Sequence, residues 1–158
     1  MPSEAQMTNP RHEESWERTD RNLNDLLQEL RVALPGVQVL FAFLLAVPFQ
    51  SRFGSVTGFQ ESLYFATLIF TACSSLLLIA PTAFHRLTFR RQQKERLLLF
   101  ANRFMIWGLA FLALAVTGAV TLITDYLYGS IPTIAAGVTS LAAFGMIWLY
   151  FPLRARYG

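Results

Sequence analysis

The chain has one cysteine, Cys73, in 158 residues. A lone cysteine forms no disulfide within the chain and excludes a CxxC redox pair, and with it the thiol oxidoreductases built on four helices. There are two histidines, His12 and His85, set in different polar segments, so paired helix histidines for haem are excluded within one chain. Charge is sparse at 15% of residues, against roughly a quarter in soluble domains. No Asp or Glu falls in the middle of any long apolar segment; Glu61 and Asp125 stand only at segment ends. Proton-coupled transport ordinarily uses a titratable group within the membrane. Compact four-span multidrug exporters place an acidic residue in their first helix, where this chain has only Gln38. Residues 1–31 lack the apolar core of a secretory signal. No constellation of residues suits catalysis, a metal or a cofactor.

What is present is apolar sequence in long blocks. Hydrophobic residues make up 54% of the chain, including 14 Phe, and 158 residues make one domain. A hydrocarbon layer of about 30 Å takes roughly 20 helical residues. Four segments meet that length between flanking charges, giving spans at about 35–51, 62–84, 103–124 and 131–151. The predicted fold is an all-α membrane protein with four transmembrane helices in residues 35–153 and a short tail at 154–158. Ahead of them, 1–15 is polar and expected to lack structure. Residues 16–34 read as an amphipathic helix, with Trp16, Leu23, Leu26, Leu27, Leu30 and Leu34 on one face. Asn22 or Thr19 is its expected cap, and Pro35–Gly36 its expected break from the first span. This helix is expected either in the headgroup region or against the other helices. Pro48, Pro81 and Pro152 are expected to stop or kink their helices near the exits.

The charges set an orientation. With the N-terminus cytoplasmic, segments 1–31, 85–96 and 152–158 hold eleven basic residues, and the opposite loops hold only Arg52. That asymmetry predicts both termini on the cytoplasmic side of the plasma membrane. Topology therefore explains the net charge of +3 better than nucleic acid does. The aromatics agree, with Tyr64, Tyr126 and Tyr128 expected near the outer face and Trp107, Trp148 and Tyr150 towards the inner. Small residues recur every fourth position at Thr67, Thr71 and Ser75, at Ala113, Thr117 and Thr121, and at Ala135, Thr139 and Ala143. These are predicted packing seams, their hydroxyls free to bond across.

Candidate functional residues are the polar groups for which apolar surroundings are costly. Gln38 lies one or two turns into the first span and needs a partner on a neighbouring helix or at the carbonyls near Pro35. Asn102 and Arg103 sit at the entry of the third span, where Arg103 either snorkels to the headgroups or turns towards Gln38 or Glu29. His85 and Arg86 follow Pro81 and, with Arg90, Arg91, Lys94 and Arg96, form a basic rim. Anionic lipid attracts such a rim by about 1 kcal/mol per basic residue, and a specific phosphate or acidic partner is the other candidate. Glu29, Arg31 and Gln50 complete the set. The expected partners are the bilayer, with anionic lipid at the cytoplasmic face, and a homo-oligomer or larger membrane complex, without nucleic acid.

The stretch LLQELRVALPGVQVLFAFLLAVPFQSRF, followed by LLIAPTAFHR, resembles an uncharacterised bacterial family of small four-span membrane proteins. The matching positions are Glu29, Leu30, Arg31, Gly36, Gln38, Phe41, Phe43, Pro48, Phe49, Arg52, Pro81, His85 and Arg86. The resemblance covers residues 20–91 closely and the remainder by hydropathy. It implies the four-span fold, and some relatives carry an automatic label of sodium:proton antiporter. A non-enzymatic accessory or oligomeric membrane component is the expected role, with a small ion or solute transporter as the alternative.

Overall fold

The protein is described here by a computed structural model covering residues 10–51, 53–88 and 94–157. Helix α1 (Pro10–Ala46) leads through two short 3₁₀ turns (Val47–Phe49 and Phe53–Ser55) to α2 (Gly58–Thr88). Helix α3 (Lys94–Tyr128) is followed after Gly129 by α4 (Ser130–Gly145), a π-helical turn (Met146–Tyr150) and α5 (Phe151–Tyr157). Four helical segments are long and apolar enough to cross a bilayer: Asn24–Phe49, Gly58–Phe84, Leu99–Tyr128 and Ser130–Arg154. At 1.5 Å per residue, α1 and α3 are each over about 50 Å long, well beyond a hydrocarbon layer.

Several boundaries differ from the sequence expectation. Among the described residues α1 is already helical at Pro10, inside the segment expected to lack structure and ahead of Thr19 and Asn22. It runs through Pro35 and Gly36 without a break. A single proline removes one backbone bond, and the adjoining turns hold the helix across the gap. Pro81 likewise lies within α2, which continues to Thr88. Its ring is fully buried. Pro48 does end its helix, falling in the 3₁₀ turn after Ala46. Pro132 sits in the first turn of α4, where its missing N–H costs nothing. Pro152 follows the π-helical turn, a local widening that accommodates a missing donor.

The cross-helix contacts fix the topology. A Cβ on Gly108 would meet Leu78, and one on Gly118 would meet Thr67, so α2 and α3 run antiparallel in close approach. Likewise Thr133 lies by Asp125, Gly137 by Thr121 and Ser140 by Thr117, placing α4 antiparallel to α3. A core of Leu26, Leu30, Val37, Leu78 and Ala101 joins α1 to both α2 and α3. Helix α4 packs on α3 and touches neither α1 nor α2. The described helices therefore form a three-helix unit with α4 laid along one side.

Side-chain burial is inverted relative to a soluble domain. The buried residues of α2 include Thr67, Thr71 and Ser74, whereas Phe43, Leu76 and Ile131 are 70%, 71% and 85% exposed. Small residues at the seams and large apolar ones facing outward suit a lipid solvent. The α2 stripe is confirmed in part: Thr67 and Thr71 are buried, and Ser75 is half-buried. Their hydroxyls, however, bond the carbonyls four residues back in their own helix, at 2.7, 2.8 and 3.0 Å. Bonds that do cross between helices in this region include Ser74 Oγ to Gly108 O at 2.8 Å and Thr117 Oγ1 with Ser140 Oγ at 3.2 Å. The α4 stripe is displaced. Ala135, Thr139 and Ala143 are exposed, and α4 presents Thr133, Gly137 and Ser140 to α3 instead.

Candidate functional site: a polar junction at the Asp125 end

The ends of α1 and α3 and the starts of α2 and α4 meet at one end of the molecule, around groups that the charge pattern alone did not single out. Helix α2 opens with a reciprocal cap. Gln60 N–H donates to Thr57 Oγ1 at 3.2 Å, and Thr57 N–H donates to Gln60 Oε1 at 3.0 Å. This is the Thr-x-x-Gln capping box, present in the sequence as TGFQ. Its carbonyl oxygen thus engaged, Gln60 turns its Nε2 to Asp125 Oδ2 on α3 at 2.9 Å. From α4, the Thr133 hydroxyl lies 3.2 Å from Asp125 Oδ1 and 2.6 Å from Gly129 O. Its single proton serves one acceptor at a time, and the shorter bond is the local one. One carboxylate thereby joins α2, α3 and α4.

The turn that delivers Thr133 depends on Gly129, the single residue between α3 and α4. Its φ is +81° and its ψ −169°, an extended backbone of positive φ that essentially only glycine adopts, and its N–H donates to Asp125 O at 3.2 Å. On the α1 side, Tyr64 Oη donates to Leu44 O at 2.9 Å. Leu44 O is the carbonyl whose helical donor would be residue 48, and Pro48 has no N–H. Tyr64 supplies the missing hydrogen. It is buried at 7% exposure, with Phe53 packed edge-on at 5.2 Å, whereas Tyr126 and Tyr128 are exposed.

Beside this junction lies a half-open cavity of about 440 Å³ between the α1–α2 connection and α3. Its walls are apolar, with Val47, Leu122 and Ile123 among them, and Gln50, Gln60 and Tyr64 supply polar groups at its margin. At the opposite end, where α2 gives way to α3, a groove of about 350 Å³ separates α1 from α3. Asn22, Asp25 and Glu29 line one side and Asn102 the other, over Leu26, Leu99 and Met105.

The candidates from the sequence thus divide. Glu29 and Asn102 meet across the groove, and Gln50 reaches the cavity. Arg31 is exposed. Gln38 and Arg103 are exposed on different helices and bond neither each other nor any described residue. Among the described residues Gln38 therefore has no hydrogen-bond partner where one was expected, and Arg103 bonds neither Gln38 nor Glu29. His85 and Arg86 lie on the last turns of α2, and Lys94 and Arg96 on the first turn of α3. The side chains of those four, and Arg52, Arg90 and Arg91 entirely, lie outside the described residues. Gln60, Asp125, Thr133 and Tyr64 were missed as a group because their association spans 65 residues of sequence, although the capping box was legible.

No curated protein and no solved structure matches the chain. A family profile matches residues 12–152, nearly the whole length, and by that match the chain belongs to the family of unknown function DUF6328.

Proposed function

We propose that the chain is a non-enzymatic multi-pass protein of the cytoplasmic membrane, an accessory or oligomeric component acting through protein and lipid contacts. The observation that carries this reading is how its in-span polar groups are used. Thr67, Thr71, Ser75 and Thr121 bond carbonyls of their own helices, and Ser74, Thr117 and Ser140 close the seams. The cavity and the groove open at opposite ends, with the buried contacts of the α1–α2–α3 unit between them. Among the described residues, these hydroxyls are arranged as fasteners.

The orientation belongs to the same proposal: both termini and the basic α2–α3 connection face the cytoplasm, where anionic lipid or an acidic partner meets the rim. Affinity purification of the full chain from native membranes tests it. A stoichiometric companion, lost when Arg90 and Arg91 are both changed to Glu, is the expected result. Reconstitution into proteoliposomes is the opposing arm. Cation exchange driven by a pH gradient and abolished by Gln38→Leu establishes the transporter reading in its place.

A further inference from the structure

Gln38 stands seven residues past Arg31, about 10 Å further along the α1 axis, within the apolar span Asn24–Phe49. Its side chain is exposed and bonds no described residue. A primary amide facing hydrocarbon leaves two N–H donors and a carbonyl without partners, which lipid tails cannot supply. At about 100° per residue, Pro35, Ala42 and Leu45 lie within roughly 60° of Gln38 around the helix. All three are exposed, while Leu30, Val37 and Leu44 turn to the core. Helix α4 packs only on α3 and leaves this face uncovered. Ala42, one turn beyond Gln38, is small enough for another backbone to come close.

The chemistry of the group selects the occupant. A carboxamide is complementary to itself, donating through its nitrogen while accepting through its oxygen. Two copies inserted the same way hold Gln38 at the same depth, so a two-fold axis beside it satisfies both amides at once. We propose that α1 pairs with α1 of a second copy through a reciprocal Gln38–Gln38 hydrogen bond, with Ala42 at the point of close approach. The inference rests on the contact-based role proposed above and names its first partner.

Disulfide trapping of the full-length protein in lipid bilayers tests it, on a Cys73→Ser background. Ala42→Cys is expected to give a covalent dimer under mild oxidation. Phe43→Cys, exposed on another side of α1, is expected to stay monomeric. In a fluorescence-transfer titration without cysteine trapping, Gln38→Leu is expected to weaken self-association about tenfold and Gln38→Asn to retain most of it. Gln38 is exposed, so the leucine variant keeps the monomer fold, checked by an unchanged unfolding midpoint under dissociating conditions. Equal trapping at positions 42 and 43, or self-association unaffected by Gln38→Leu, overturns the proposal. A monomeric chain that still retains its companion protein defeats the dimer alone. Gradient-driven flux defeats the contact-based role and leaves the dimer to the trapping result.

Discussion

Tyr64 offers the sharpest test of how the helices are held together. Replacing it with Phe keeps the ring and its packing on Phe53 but removes the hydrogen given to Leu44 O. A buried carbonyl left without a donor costs about 1–3 kcal/mol. Leu44 is itself buried and its helical donor is already missing at Pro48, so about 2 kcal/mol is expected for Tyr64→Phe. The mechanism makes a stronger demand than the magnitude. In Pro48→Ala, residue 48 regains an N–H, and the carbonyl can be satisfied within its own helix. The cost of Tyr64→Phe should then fall below about 1 kcal/mol, giving a coupling of at least about 1 kcal/mol in a double-mutant cycle. Reversible unfolding in mixed detergent micelles, followed by helical circular dichroism, measures all four proteins. Equal costs of Tyr64→Phe in the two backgrounds would refute the argument that the tyrosine replaces the proline's lost donor.

The glycines divide by the space beside them. Gly118→Ala forces a methyl against Thr67 at the α2–α3 seam and is expected to destabilise by about 1–3 kcal/mol, whereas Gly36→Ala, with open space around it in mid-helix, should stabilise by roughly 0.5–1 kcal/mol; the same unfolding assay checks both. Gly129→Ala must hold a φ of +81° at a ψ of −169° and is expected to cost about 1–3 kcal/mol. Gln60→Ala loses both the α2 cap and the bond to Asp125, and Asp125→Ala loses the same bond from the other side. Each is expected to cost about 1–2 kcal/mol, with the double variant less destabilised than the two costs added; strict additivity counts against the junction. Reporter fusions in the 89–93 connection should read cytoplasmic, and an external reading reverses the proposed orientation.

What the sequence by itself determined is set by solvent and length. Four apolar runs between charges identify four membrane-length helices, because hydrocarbon excludes charge and a helix needs roughly 20 residues to cross it. The charge asymmetry and the capping box at Thr57–Gln60 are equally local signals, readable within a few positions. The pairing of faces was not readable in this way. Within the membrane-length segments the faces are all largely apolar, so periodicity does not separate a seam from a lipid contact. The stripe Ala135, Thr139 and Ala143 has the same spacing as a packing seam yet lies exposed, while Gly137 faces Thr121. Proline likewise reads as a break in one dimension, but tertiary structure decided that α1 and α2 continue through Pro35 and Pro81 and that Tyr64 completes the end at Pro48. The junction of Gln60, Asp125 and Thr133, and the outward aim of Gln38, came only from the packing of whole helices. Hydrogen-bond partners distant in sequence are chosen by which backbones approach, and that choice belongs to the assembled fold.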